Sequence, residues 1–244
     1  MSDGQPMQRQ GHSVRRRLAT TAIVGAAAWG LVMSSPAGAG TIKGHVRITG
    51  PVPGQKVLPV TTDQYVCGKE KDTDDLVVSP DKGIRNAVVW LTSPPPGAKR
   101  ETPSTPVFLD QKQCNFAPRV VVVPVGGTVE FLNSDRLLHN IHSRSKDNSP
   151  FNRTHPKGRS IPITFTKPEI VRIDCDLHPW MRAWIVVTEH PYYAVTGGNG
   201  EFVLAGIPAG TYSLTAWQES LGLVKKDVTL GEADASVVIE MGSR

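Results

Sequence analysis

Cys175-Asp-Leu-His178-Pro-Trp-Met181, taken with Leu138-His139-Asn140-Ile141-His142 further upstream, decides how this chain is read. Just before the first stretch, Val171, Ile173 and Cys175 share one parity and Arg172 and Asp174 the other, as in a strand with one buried face. The spacing predicts that Cys175 points inward at a strand's end. Cys175, His178 and Met181 then lie on one short reversal, stiffened by Pro179, before a second strand, Ala183 to Val187. Gly127-Thr-Val-Glu-Phe-Leu-Asn133 reads as another strand, with Val129 and Phe131 on one face, and it leads towards His139. Asn140 is placed to hydrogen-bond across to the Cys-bearing loop and lock the two pieces together.

A thiolate, two imidazoles and a thioether are a donor set that selects copper. Cu(I) favours soft sulfur, Cu(II) accepts imidazole, and a trigonal His2Cys site with a weak axial Met serves both. Zinc takes Cys and His but rarely a thioether, so Met181 argues against it. The expected ligands are His139, Cys175, His178 and Met181. Taken singly, each has a plainer reading as a buried small hydrophobe, a satisfied imidazole or a turn with an aromatic anchor. The reading rests on their joint occurrence.

Phe116-x-Pro118, Gly127-Thr-Val-Glu-Phe-x-Asn133, His139-Asn140 and Cys175-x2-His178-x2-Met181 together resemble the plastocyanin-like cupredoxins, most nearly the amicyanin group. The resemblance covers residues 104 to 189. It implies a Greek-key sandwich holding one type 1 copper on the four ligands above. Electrons would then pass through a His178 ring edge that reaches solvent, with Pro179 and Trp180 as a docking patch. The implied partners are a redox donor and a redox acceptor, such as a dehydrogenase and a cytochrome. His142 is excluded as a ligand because it falls on the opposite face of an extended strand from His139. Asp176 departs from the small hydroxyl residues common after the Cys, and a carboxylate there is expected to lower the reduction potential or to perturb the site.

The N-terminus is different in kind. Arg15-Arg16-Arg17, an apolar run from Leu18 to Met33, and Ser34-Ser-Pro-Ala-Gly-Ala39 read as an export signal over residues 1–39, by the twin-arginine or the ordinary secretory route. The apolar run is short for an uncleaved membrane anchor, the competing reading. The mature chain is therefore expected to be periplasmic or secreted, with no membrane span. Removing Asp3, Arg9, Arg15, Arg16 and Arg17 lowers the net charge from +5 to +2. No basic stripe with interleaved aromatics remains, so no nucleic-acid partner is expected.

Three cysteines in an exported chain leave one over. If Cys175 holds metal, Cys67 and Cys114 are expected as a disulfide that staples the preceding segment to the copper domain, the alternatives being two free thiols or a second metal site.

The remaining sequence is strands and turns: Thr41 to Ile48, Ala87 to Leu91, Arg119 to Val123, Ile161 to Phe165 and Ile170 to Asp174. The stretches Ser93 to Pro106 and Ser143 to Arg159 read as loops. Tyr193 to Leu204 reads as a hairpin turning at Gly197 to Gly200, with further strands over 206–214 and 224–239. Thr196-x3-Gly200-x-Phe-x-Leu-x-Gly206-Ile-Pro-x-Gly-Thr-Tyr212 resembles carboxypeptidase-regulatory-like modules, small sandwiches of prealbumin type. Their opening strands match Gly40-Thr-Ile-x-Gly-x-Val46 and Ala87-Val-Val-Trp-Leu91, on the far side of the copper segment. The expected architecture is all-β, with a cupredoxin domain (104–189) inserted between two parts (40–98 and 190–244) of a prealbumin-like β-sandwich. Two consecutive domains are the alternative. The expected function is single-electron transport by an exported type 1 copper protein, against an adaptor that binds copper or a partner without a redox circuit. No hydrolytic or paired-carboxylate motif suggests an enzyme.

Overall fold

The computed structural model describes residues 39–98 and 104–242. Residues 1–38 of the expected signal and 99–103 of the Pro-rich stretch lie outside the described residues. Among the described residues no helix is long and apolar enough to cross a membrane.

The fold is nearly all β, and apart from the small ribbon of Val57–Pro59 and Glu70–Asp72 its strands form two sandwiches. In one, a five-stranded sheet is ordered Asn152–His155, His139–Ser143, Glu169–Asp174, Arg182–Thr188, Val120–Pro124. It packs on a four-stranded sheet ordered Ser160–Thr164, Thr128–Asn133, Val107–Lys112, Asn115–Ala117. The alternation read from the sequence holds: Val129 and Phe131 turn inward to meet Ile141, Val171, Ile173 and Ile185 in one core. Each such side chain contributes about 1.5–3 kcal/mol by leaving water. Val120–Pro124 is buried along its whole length, because its second face meets the other sandwich.

In that second sandwich Gly40–Thr49 pairs antiparallel with Glu201–Ile207 and parallel with Ala235–Gly242. The other sheet is ordered Tyr193–Val195, Val88–Leu91, Gly210–Gln218, Gly222–Leu230. Its strands come from both sides of the first sandwich in the sequence. The two sandwiches meet through Val120, Val122 and Val186 on one side and Val88 and Trp217 on the other. At the margin Arg119 donates twice to Glu219, both at 2.8 Å, and the Trp184 indole N–H reaches the same carboxylate at 2.8 Å. Three donors on a nearly buried carboxylate offset the cost of dehydrating the pair.

Two expectations are corrected. Tyr193 to Leu204 is not a hairpin: Tyr193–Val195 pairs with Val88 to Trp90, while Glu201–Ile207 pairs with Gly40–Thr49 in the opposite sheet. The glycines between them make a crossover. Of Gly197, Gly198 and Gly200, only Gly200 has a positive φ (82°), and a Cβ there would lie 2.4 Å from the Val46 carbonyl oxygen. The second correction concerns Ser143 to Arg159, which contains the strand Asn152–His155 paired with His139–Ser143. Its polar composition concealed it, since only His155 of the four is buried.

Candidate metal centre

Short polar devices bring the site together. Asn133, buried at a strand end, donates from Nδ2 to the carbonyls of Leu137 (3.0 Å) and His155 (2.7 Å), and its Oδ1 accepts the Asp135 N–H (3.0 Å). The loop that delivers His139 is thus wound around one amide. Across the sheet, Cys175 N–H donates to the Met181 carbonyl (3.2 Å) and Met181 N–H to the His178 carbonyl (2.8 Å), which closes the 175–181 reversal. Asn140 ties the pieces together: its Oδ1 accepts the Asp176 N–H at 2.7 Å and its Nδ2 donates to Asp176 Oδ2 at 3.0 Å.

The result is a buried group of three donors. His139 Nδ1 and His178 Nδ1 lie 2.9 Å apart, and Cys175 Sγ lies 3.8 Å and 3.6 Å from them. The point equidistant from the three atoms is about 2 Å from each, close to ordinary metal–nitrogen and metal–sulfur bond lengths. Met181, 1% exposed, packs in the same core cluster as Cys175. Cys114 Sγ also lies beside Asp135 and His139, but that sulfur is bonded to Cys67 and offers no thiolate.

The outward nitrogens explain why those donors are lone pairs. His139 Nε2 meets Asp135 Oδ2 at 3.0 Å and His178 Nε2 meets Asp63 Oδ2 at 3.0 Å. A carboxylate only accepts, so both Nε2 atoms carry a proton, and in neutral rings both Nδ1 atoms then present lone pairs to the same point. Two lone pairs at that separation repel unless a cation lies between them. Burial pushes the His139 imidazole below its usual range against the pull of Asp135, which keeps it neutral. Burial also pushes the Cys175 thiol up, partly offset by backbone hydrogen bonds from Asn140, His178 and Leu177, so a thiolate here calls for a positive partner. The donor set fits a soft, imidazole-accepting metal ion.

The other candidates fall as follows. Cys67 and Cys114 form the expected disulfide, which joins the one-turn helix Gln64–Cys67 to the turn between Val107–Lys112 and Asn115–Ala117. His142 faces away from the three donors and binds Asp176, 2.9 Å from Oδ2. The Asp176 carboxylate is engaged by His142 first, then by Asn152 and Asn140, and these hold it below the usual carboxylate range. Two parts of the docking expectation are corrected. The His178 ring edge does not reach solvent: its side chain is 0% exposed and Asp63 covers it. Trp180 is 6% exposed and donates its indole N–H to the Cys114 carbonyl at 3.0 Å, so of the expected patch only Pro179 is exposed. Indole is large, and its N–H found a buried acceptor.

Sequence reasoning missed Asp63, Asp135 and His155. Asp135 precedes His139 by four residues and could have been suspected, but Asp63 lies 115 residues before His178 and gives no local sign. His155 is the cross-strand neighbour of His139. Its nitrogens meet Gln111 Oε1 and the Arg159 carbonyl, each at 2.7 Å, while Gln111 donates to the Asn140 carbonyl at 3.0 Å.

No family model matches the chain, and no curated protein matches it. Solved structures do. A copper-containing nitrite reductase from Thermus scotoductus SA-01 is 33% identical over 39% of this chain and 25% of its own, with a TM-score of 0.34. A purple cupredoxin from Nitrosopumilus maritimus is 22% identical over 34% of this chain and 99% of its own, with a TM-score of 0.30. Amicyanin from Paracoccus versutus is 24% identical over 41% of this chain and 96% of its own, with a TM-score of 0.32. These matches cover one part of the chain, and this chain spans a quarter of the nitrite reductase. The chemistry of the site is read from its own atoms.

Proposed function

We propose that the protein is an exported type 1 copper protein that carries single electrons between redox partners in the periplasm or outside the cell, with His139, Cys175, His178 and Met181 as ligands. The observation that carries this reading is the buried convergence of two lone-pair Nδ1 atoms and one cysteine sulfur within bond length of a common point. Copper bound by such a set takes up and gives back one electron with little change of ligands. The chain supplies the rigidity: Asp63 and Asp135 orient the imidazoles, Asn140 fixes the Cys175 loop, and the surrounding core excludes water. Met181, folded back beside Cys175, would be the weak fourth donor. The reading is of a carrier rather than an enzyme, its donor and acceptor being redox proteins.

The same proposal includes a domain order. Residues 104–189 form the copper domain, inserted between segments 40–98 and 190–244 of a prealbumin-like sandwich. The pairing of Gly40–Thr49 with Glu201–Ile207 and Ala235–Gly242 supports it.

A second reading, copper or partner binding without a redox circuit, is favoured by one observation: Asp63 covers the His178 edge by which an electron would leave. A spectrum separates the two. Copper-loaded protein should show an intense visible thiolate-to-copper band that bleaches and returns with reductant and oxidant and is lost in Cys175→Ser. Colourless copper that resists reduction would favour the second reading and remove the first.

A further inference from the structure

His178 is held from outside by a residue that has given up a local role to do so. Asp63 stands at the N-cap of the helix Gln64–Cys67, where an Asp carboxylate commonly accepts a helix N–H, yet it makes no side-chain cap. Its backbone carbonyl takes the N–H groups of Val66 (3.0 Å) and Cys67 (2.9 Å), and its backbone is left-handed at φ 52°. That conformation is uncommon for a residue with a Cβ. The carboxylate, 33% exposed, turns instead to His178 Nε2 at 3.0 Å. The disulfide from Cys67 to Cys114 holds this turn against the copper sandwich, beside the Cys114 carbonyl that accepts the Trp180 indole N–H.

We propose that Asp63 is a positioning residue of the metal centre: its carboxylate fixes His178 in the tautomer that aims the Nδ1 lone pair at the metal, and its charge favours the more oxidised ion. This deepens the copper reading, on which its redox half rests. The tautomer half concerns the imidazole alone. In the other tautomer the Nδ1 proton would point at His139 Nδ1, 2.9 Å away, and close the site with a hydrogen bond. A carboxylate on Nε2 excludes that state, because an unprotonated Nε2 beside it would have nothing to donate.

The test compares Asp63→Ala and Asp63→Asn with the wild-type chain. Histidine 15N shifts of the metal-free protein read the tautomer, zinc titration reads affinity without redox chemistry, and voltammetry of the copper form reads the potential. In wild type His178 should carry its proton on Nε2. In Asp63→Ala that preference should be lost and zinc should bind about 10–100-fold more weakly. Asp63→Asn keeps an acceptor oxygen without the charge, so it should restore the tautomer and most of the zinc affinity while its copper potential stays above wild type. Unchanged His178 shifts with zinc affinity within about twofold of wild type in Asp63→Ala would overturn the proposal. If Asp63→Ala does not fold, an Asp63→Asn copper potential equal to wild type would do so. Should wild type bind copper without colour while the tautomer and zinc results hold, the electron-carrier reading fails and the role of Asp63 stands.

Discussion

Cys114 and His139 share one oxygen: the Cys114 backbone N–H and the His139 imidazole reach Asp135 Oδ2 at 2.8 and 3.0 Å. Asp135 Oδ1 takes the Gln113 N–H at 2.6 Å, so one carboxylate holds a turn whose two residues, Gln113 and Cys114, both have positive φ. The other half of the disulfide, Cys67, ends the helix that Asp63 begins. A single cross-link therefore stands behind both imidazoles.

Replacing Cys67 and Cys114 by Ser should accordingly act twice. The cross-link spans 47 residues, and its loss should cost about 4 kcal/mol in a denaturant titration. Metal affinity should also fall by about tenfold, since both carboxylates lose their anchor. Loss of stability with unchanged affinity in a chelator competition would show that the two turns hold their shape unaided.

Two inward lone pairs make the metal-free protein the less stable form. Adding zinc or copper should raise the melting temperature, and at a thousandfold excess over the dissociation constant the gain is about 4 kcal/mol. His139→Ala should abolish that response, as read by calorimetry with and without chelator. A metal-independent melting curve for the wild type would remove the site.

The 175–181 reversal was legible because it is local: strand parity, Pro179 and the spacing from Cys175 to Met181 fix which side chains share it. What encloses it was not. Asp63 reaches His178 through tertiary contact alone, and no pattern near either residue records it. Trp180 read as part of a docking patch because a turn says nothing about what packs over it. The 193–204 stretch misled for a related reason, since alternation marks a strand but does not name the sheet it joins. Thr128–Asn133 and Glu169–Asp174 were legible as strands because each alternates with one face in the core, whereas Val107–Lys112 and Asn152–His155 were not read as strands.

Glu169 gives the fold an acid-sensitive clasp. Burial pushes its carboxyl up, but the Ser145 hydroxyl, the N–H groups of Lys146 and Asn148 and the Asn148 amide outweigh this and lower it from 4.5 to about 2. A carboxyl depressed in the folded state stabilises above its unfolded value, and that stability is lost as pH falls through the folded one. Glu169→Gln should thus be less stable on the order of 1–3 kcal/mol at neutral pH, and the gap should close between pH 4.5 and about 2. Melting curves across that range check it, and a gap that persists at the acid end would refute the assignment.

The joint between the sandwiches should be sensitive to Glu219. Glu219→Ala leaves Arg119, its side chain only 13% exposed, without a counter-charge and strips the Trp184 indole of its acceptor. Breaking such a pair costs about 3–5 kcal/mol. The visible spectrum of the copper form should not change, because neither Glu219 nor Arg119 contacts the donors. A spectral shift with small loss of stability would mean that the second sandwich tunes the site.

Met181→Leu tests the fourth ligand. The side chain is buried beside Cys175, so a leucine of similar volume should be accepted at less than about 1.5 kcal/mol. His139, Cys175 and His178 remain, and copper should stay bound with its visible band. The thioether is a weak donor whose electron density helps the more oxidised ion, while the reduced ion is content with three ligands. Losing it should raise the reduction potential. A potential equal to wild type, with copper bound and the fold intact, would mean that Met181 only fills space and that the centre is three-coordinate.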